Sequence, residues 1–281
     1  MRHVAQWAMG ATLLITQAAS AVPTFQVFEG AAGNATDLTP IRDSFRAAVG
    51  GGTVAGANGS FGGLRREINW DGVPNALADP NALPGNFFNV NSPRGAVFST
   101  PGTGFMVSAI AGQATAPLFG FSSDFRVFSP ERLFTAVGSN VTDVRFFLPG
   151  TGTAATTTAF GVVFTDVEVA GLTTLQFFDE NDAEIFSDDA PTSGNQGLSF
   201  LGATVTGGSI SRVRITTGLN TILSNGVLGN PNDDVVVMDD FIYAEPGRRG
   251  GTVPLPGTLA LAALGLACGL GFTRRRRAAG A

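Results

Sequence analysis

Two adjacent aspartates, Asp239 and Asp240, are the residues of this sequence best placed to do chemistry. They interrupt an otherwise apolar run, Val235–Tyr243, whose composition predicts a β-strand. Because side chains alternate along a strand, we expect the two carboxylates on opposite faces, each among apolar neighbours. A carboxylate buried in this way needs a cation, an arginine or backbone donors to remain ionised. The available partners are Ca²⁺, Arg212 or Arg214 from a neighbouring strand, or solvent at the end of the strand.

Calcium is the metal that such a site would take, because oxygen ligands suit Ca²⁺ and extracellular Ca²⁺ is sufficient for weak sites. The aspartate pair is similar to the final-strand carboxylates of jelly-roll carbohydrate-binding and adhesion modules, which help to hold a structural Ca²⁺ beside the first strand. That resemblance implies Glu67 and Asp71 as first-strand ligands, with Asp239 and Asp240 opposite them. Arginine pairing or solvation is the competing interpretation, in which no cofactor is bound.

The scarcity of other reactive residues excludes most enzyme chemistry. The only His is His3, the only Cys is Cys268, and every one of the 17 basic residues is Arg. Between residues 22 and 253 the chain therefore lacks Ser-His-Asp triads, Cys nucleophiles, Schiff-base lysines and His- or Cys-ligated metals. We therefore expect that the protein has no enzymatic activity. A carboxylate glycosidase is the least favoured alternative, with Trp70 and Tyr243 as the polar-edged aromatics that could face a sugar.

Charge bears on the choice of partner. Residues 22–253 contain twelve arginines and all 22 acidic residues of the chain, so this part is strongly acidic. An acidic body is a poor ligand for the phosphate backbone, and we expect no nucleic-acid partner.

The two ends of the chain are typical of export and membrane insertion. Residues 1–21 combine Arg2, an apolar stretch and the small residues Ala19-Ser20-Ala21, which predicts a signal peptide cut by signal peptidase after Ala21. Val253–Phe272 is a stretch of 20 residues without a charge, which predicts a transmembrane helix that can just cross a ~30 Å hydrocarbon core. The four arginines that follow at 274–277 place that end in the cytoplasm and leave the body outside.

The tail at 253–277 resembles a PEP-CTERM sorting signal, which exosortases recognise on exported bacterial proteins. The resemblance rests on the order of a Pro-rich start, an uncharged span and a basic end, carried by Pro254, Pro256, Gly257, Arg274, Arg275, Arg276 and Arg277. It implies an exosortase as partner. The middle of the tripeptide is Leu255, where the family has Glu, so processing and simple anchoring both remain open. Such tails are also called ice-binding-protein C-terminal domains, a label that carries no ice chemistry.

The elements that must position the aspartates are short strands. With 38 Gly, 15 Pro and 23 Phe, the composition favours strands over long helices. Residues 22–36 are predicted to be loop-like, followed by one short helix that Thr39 caps and the glycines after Val49 end. Eleven short strands, one of them Phe87–Val90, then fill 37–246, and 247–252 is a linker. This pattern predicts an all-β, antiparallel two-sheet sandwich of jelly-roll type.

Two connections are predicted to join neighbouring strands. Asp179–Asp182 supplies turn residues for one hairpin, and Thr206–Ser209 links the strand at 198–205 to the strand at 210–216. In that last strand, Arg212 and Arg214 are expected to face solvent.

These features predict an exported, non-enzymatic protein of the envelope or extracellular matrix, sorted by an exosortase-type system. It would be anchored through its C-terminal helix before processing, and would then lie at the cell surface or outside the cell. The alternative is a Ca²⁺-stabilised carbohydrate-binding module for matrix polysaccharide, with Trp70 at the ligand. Stretches of the body, such as Ile68–Pro74 and Met238–Tyr243, look similar to those of uncharacterised proteins with the same tail, and that likeness implies export and architecture but no activity.

Overall fold

The computed structural model of the protein describes residues 22–110, 119, 124–222 and 234–249. In this part of the chain, short strands rich in Phe, Val and Thr alternate with turns at Gly, Pro and Asn. In chain order, the elements are β1 (Thr24–Ala32), α1 (Ala35–Val49), β2 (Ser60–Phe61), β3 (Arg65–Ile68), α2 (Phe87–Val90), β4 (Ala96–Ser99), β5 (Gly104–Val107), β6 (Phe134–Val137), β7 (Val141–Phe146), β8 (Ala155–Thr156), β9 (Ala159–Thr165), β10 (Thr174–Phe178), β11 (Glu184–Asp189), β12 (Leu198–Thr206), β13 (Arg212–Thr216), β14 (Val237–Ala244) and β15 (Gly247–Arg248).

Two antiparallel sheets form the body. The large sheet has eight strands, with the path β1-β12-β9-β14-β3-β2 and with β6 and β5 attached beside β14. The small sheet has five strands in the order β11-β10-β13-β7-β4, and β8 pairs with β15 on their own. The all-β, antiparallel prediction is confirmed, while the jelly-roll assignment stays a prediction.

The main core lies between the two sheets and is dominated by aromatic rings. Phe160 and Phe164 of β9 and Phe241 and Tyr243 of β14 come from the large sheet, and Phe177 of β10 comes from the small sheet. Aromatic side chains bury large apolar areas, so this layer supplies most of the hydrophobic stabilisation.

Helix α1 covers the outer face of the large sheet and makes a second core. Leu38 and Phe45 are fully buried there against Phe200 of β12 and Ile242 of β14. The side chain of Asn34 accepts a hydrogen bond from the Asp37 N–H (3.0 Å), which caps the start of the helix.

The N-terminal boundaries differ from the predicted ones. The segment predicted to be loop-like contains β1, a half-exposed edge strand that pairs with β12 along its whole length. The helix begins four residues before the predicted cap at Thr39, because Asn34 caps it earlier, but it ends before Gly50 as predicted. The first residues of β1, among them Phe25, Val27 and Phe28, are strand formers that the prediction overlooked, and the proline at position 40 hid the first turn of the helix.

Three further predictions were wrong: the strand at 87–90, the start of the linker at 247 and the pairing partner reached by the turn after Thr206. Phe87–Val90 is a short helix, and Gly247 and Arg248, predicted to begin a linker, pair with β8. The Asp179–Asp182 hairpin joins β10 to β11 as predicted. The turn after Thr206 instead crosses from the large sheet to the small sheet, since β12 and β13 belong to different sheets.

None of the helices among the described residues is both long and apolar enough to traverse a membrane. The predicted signal peptide at 1–21 and the predicted membrane span at 253–272 lie outside the described residues.

Candidate functional site

A β-bulge in β14 carries the two aspartates. Met238 pairs with Phe164 and Phe241 pairs with Val162, so Asp239 and Asp240 together stand opposite the single residue Val163. The extra residue interrupts the alternation of the strand, and both carboxylates reach Ser129 beside α1. The prediction of one carboxylate on each face is therefore wrong, because the strand pairing is not continuous.

Both carboxylates are bound by the segment that precedes β6. Asp239 Oδ2 accepts hydrogen bonds from the backbone N–H groups of Phe128 (2.6 Å) and Ser129 (3.2 Å). The Ser129 hydroxyl lies 3.1 Å from Asp239 Oδ1 and 2.8 Å from Asp240 Oδ1. Arg42 of α1 approaches Asp240 Oδ2 at 3.5 Å. These contacts fix the loop and the helix to the bulge.

Burial dominates the electrostatics of the pair. Complete burial raises the pKa of Asp239 well above its usual range, and the neighbouring Asp240 charge adds to that effect. The pKa of Asp240 is also raised by burial, although the Ser129 hydrogen bond and the Arg42 charge oppose the shift. Two carboxyl groups this close favour a state in which one proton is held between them.

The arginines predicted as partners lie elsewhere. Arg212 and Arg214 belong to β13 of the small sheet, where both bind Asp143, at 3.1 and 2.8 Å. Arg212 is buried and stacks over Phe178, so its predicted exposure was also wrong. The arginine that approaches the aspartate pair is Arg42, which the predicted strand pattern did not bring near them.

The predicted calcium ligands are engaged separately. Glu67 on β3 accepts hydrogen bonds from Nε of Arg46 (2.8 Å) and Nε of Arg65 (2.7 Å). Asp71 accepts from the backbone N–H of Arg132 (3.2 Å) and from the side-chain amide of Asn69. Burial raises the pKa of Asp71 to about 6.

Of the four predicted calcium ligands, only Glu67 and Asp240 line a common space. Throughout the described ranges, no three or more His, Cys, Asp or Glu side chains are grouped so that they could hold a metal ion. Strand β3 does pair with β14, as the calcium prediction required, and Glu67 stands opposite Ile242. The Glu67 carboxylate, however, forms ion pairs with Arg46 and Arg65.

Trp70 is not a surface for a sugar. Its side chain is 1% exposed, its ring stacks on Phe134 at 3.9 Å between centroids, and its Nε1–H donates to the backbone carbonyl of Asp239 (2.8 Å). The prediction that Trp70 contacts a carbohydrate ligand is therefore wrong. Trp70 lies in the core, where it donates a hydrogen bond to the backbone of the bulge at Asp239.

A cleft with a volume of about 250 Å³ opens beside Asp240. Three arginines contribute to its wall, together with Glu67 and the floor residue Asp240. Arg42 and Arg46 are one helical turn apart on α1, so their spacing could have indicated a shared face. No sequence signal placed Arg94 beside them, whereas Glu67 and Asp240 are two of the predicted calcium ligands. The lining consists of Arg42, Arg46, Ala55, Gly59, Phe61, Glu67, Asn69, Arg94, Ser129 and Asp240.

Comparison with known proteins gives one match, at the C-terminus. Residues 252–277 match the family model of the PEP-CTERM protein-sorting motif, although Leu255 stands at the position of the family's Glu. No curated protein and no solved structure matches the chain. The match includes every residue predicted to act in sorting, and it implies an exported protein that an exosortase targets. The tail of this chain thus carries a PEP-CTERM protein-sorting motif.

Proposed function

We propose that the protein is a non-enzymatic component of the bacterial envelope or extracellular matrix, sorted to that place by an exosortase. The observation that carries the proposal is the PEP-CTERM motif at residues 252–277. The predicted signal peptide starts export, the apolar span holds the chain in the membrane, and the exosortase separates the body from the tail. The body then remains at the cell surface or outside the cell.

The aspartate pair supports the non-enzymatic part of the proposal. A catalytic carboxylate must reach a substrate, but Asp239 is fully buried and accepts hydrogen bonds from the backbone of Phe128 and Ser129. Asp240 borders the cleft but is only 3% exposed, and its carboxylate is bound by the Ser129 hydroxyl and approached by Arg42. Each carboxylate therefore holds parts of the fold together, and the pair acts as a structural clamp between β14, α1 and the loop before β6.

Binding of matrix polysaccharide is the second candidate function. The predicted basis for it, an exposed Trp70, is absent because that ring lies in the core. The arginine-lined cleft offers a different basis for binding a polysaccharide.

The sorting proposal is tested by replacing the basic end of the tail. We expect that changing the four arginines at 274–277 to Gln leaves a longer, membrane-bound species, whereas the native protein reaches the extracellular fraction without its tail. The matched control is Arg248→Gln with Arg249→Gln, two arginines that lie before the matched residues. Fractionation followed by mass spectrometry of the C-terminal peptide measures both outcomes. Extracellular protein that retains Arg274–Arg277 contradicts exosortase processing.

A further inference from the structure

The cleft on the outer face of the large sheet combines positive charge with groups that suit hydroxyls. Arg42 and Arg46 reach it from α1, and Arg94 reaches it from the loop before β4. Asn69, Ser129 and Asp240 provide polar atoms, while Phe61 provides an apolar side. Sites of this kind hold a ligand by a few placed polar groups and an apolar surface.

The carboxylates around the cleft do not balance its arginines. Asp43 accepts from Arg42 Nε (2.7 Å) and Arg46 Nη1 (3.2 Å) and is therefore shared between two guanidinium groups. Glu67 is shared in the same way between Arg46 and Arg65, and Asp240 lies 3.5 Å from Arg42. Three carboxylates, Asp43, Glu67 and Asp240, therefore face four arginines, Arg42, Arg46, Arg65 and Arg94.

Arg94 has only neutral partners. Its Nε donates to the backbone carbonyl of Glu67 (2.9 Å), its Nη1 donates to the Ser92 hydroxyl, and its guanidinium lies over the ring of Phe88 at 5.2 Å. Within the described ranges, Arg94 forms no ion pair. A half-buried guanidinium beside an open cleft is thus left without a counter-charge.

Desolvation supports the same conclusion. Burial lowers the pKa of Arg94, and the nearby Arg66 charge adds to the effect. Burial also lowers the pKa of Arg42, followed by repulsion from Arg46, while the charges of Asp43 and Asp240 oppose the shift without cancelling it. These are the directions expected where positive charge has lost water and gained too little negative charge in return. An anion in the cleft would supply the missing negative charge to both Arg94 and Arg42.

The lining distinguishes between classes of anion. A guanidinium group matches a carboxylate or a phosphate through two parallel N–H donors. A dianion would also meet the carboxylates of Asp240 and Glu67, which line the same small space and would repel it. Sugar hydroxyls, in contrast, can donate to those carboxylates and accept from Asn69 or Ser129. The volume is below the ~300–1,000 Å³ of sites for drug-sized ligands, which suits one sugar residue.

We propose that this cleft binds a hexuronate residue of an acidic polysaccharide, with the sugar carboxylate at Arg94 and the ring hydroxyls towards Asp240 and Asn69. The inference rests on the proposed export only for where the protein meets its ligand. Binding by the purified protein is measured independently of sorting, so the two proposals can fail separately.

Calorimetric titration of the full-length protein in detergent tests the inference. The probes are trimers of galacturonate, glucuronate, mannuronate and guluronate, each compared with its methyl ester. We expect at least one acid trimer to bind, and its ester to bind about tenfold more weakly or worse, because the ester lacks the charge that pairs with Arg94. Acetate and a short acidic peptide serve as controls for carboxylates without a sugar.

Two variants place the binding in the cleft. Arg94→Gln removes the unpaired charge and should weaken binding about tenfold or more, whereas Arg145→Gln, on the small sheet with a 47% exposed side chain, should leave it unchanged. Ala55→Trp fills the mouth of the cleft from an exposed position without removing a contact that holds the fold, and should also abolish binding. Unfolding midpoints check that each variant folds.

Three results would overturn the inference. They are no binding of any acid trimer to the folded native protein, equal binding of an acid and its methyl ester, or binding of acetate or the peptide as strong as that of the trimers. Unchanged binding by the folded Ala55→Trp variant would place the ligand elsewhere and would equally refute the assignment.

Discussion

At the scale of single residues, the bulge in β14 decides what Asp239 and Asp240 can do. The sequence identified the pair and its need for partners, but a regular strand would have separated the two side chains. Two residues opposite Val163 bring both carboxylates to Ser129 instead. Bulges re-aim side chains in this way without a residue type that marks them, which is why the alternation argument failed here.

The backbone donors at Phe128 and Ser129 predict a contrast between two variants of Asp239. Asp239→Ala removes the acceptor of these N–H groups, and an unsatisfied buried donor costs about 1–3 kcal/mol of the free energy of unfolding. Asp239→Asn keeps an oxygen acceptor and removes a buried ionisable group, so it should be neutral or stabilising at pH 7. Urea denaturation of both variants measures the difference, and equal losses would argue against a structural clamp.

At the scale of elements, the contact between α1 and the large sheet depends on missing side chains. Phe45 of α1 packs over Gly161 of β9, where a Cβ atom would lie 2.9 Å from Phe45 Cε1 and 2.7 Å from Phe200 Cζ. Gly202, the neighbour of Gly161 in the sheet register, is equally confined. The helix can therefore approach closely enough to bring Arg42 to Asp240.

Gly161→Ala should disturb this contact. Added volume in a well-packed layer typically costs about 1–3 kcal/mol, so we expect that loss in the free energy of unfolding together with weaker packing of α1. Gly33→Ala, just before the helix, is the matched control because no atom lies within 4 Å of its added Cβ. Thermal and urea unfolding compare the two variants. A Gly161→Ala protein as stable as the control would show that the layer can adjust freely.

At the scale of the whole molecule, many carboxyl groups are buried in a protein whose sequence is acidic. Burial raises the pKa of Asp166 to about 7 and that of Asp71 to about 6, and it raises those of Asp239 and Asp240 as well. An acid whose pKa is higher in the folded state holds a proton that the unfolded chain has released. The body therefore gains stability in mild acid and loses it as the pH rises.

The predicted pH profile has a defined window. Between pH ~4 and ~7, the folded protein binds more protons than the unfolded chain, so the free energy of unfolding should fall with rising pH and level off above it. Asp166 alone should contribute on the order of 2–4 kcal/mol to this fall. Urea midpoints from pH 4.5 to 8 test the profile, and a midpoint that rises across this range would contradict it.

Asp166→Asn assigns part of that slope to one residue. Its Oδ1 accepts the Gln196 N–H at 2.9 Å, and an Asn oxygen can keep this bond while it removes the titration. The variant should flatten the profile, whereas Asp189→Asn, at an exposed position of β11, should keep it. An unchanged slope in Asp166→Asn would remove this residue from the explanation.

The sequence by itself determined the features that depend on local composition and order. Short runs of Phe, Val and Thr between turn residues predicted an antiparallel β body, and the order of tripeptide, apolar span and arginines predicted the sorting tail. Both signals are contained within short stretches of chain, so no distant contact is needed to recognise them.

Only the tertiary structure decided which side chains meet. The edge strand β1 is held in the sheet by β12, about 170 residues away, although its own Thr, Phe and Val residues are typical of strands. In the same way, Trp70 entered the core, Arg212 joined the small sheet, and Arg42 and Arg94 came to one cleft from separate segments. Strand register, bulges and the packing of the two sheets determine these contacts. All three depend on the packing of the whole chain rather than on any local sequence pattern.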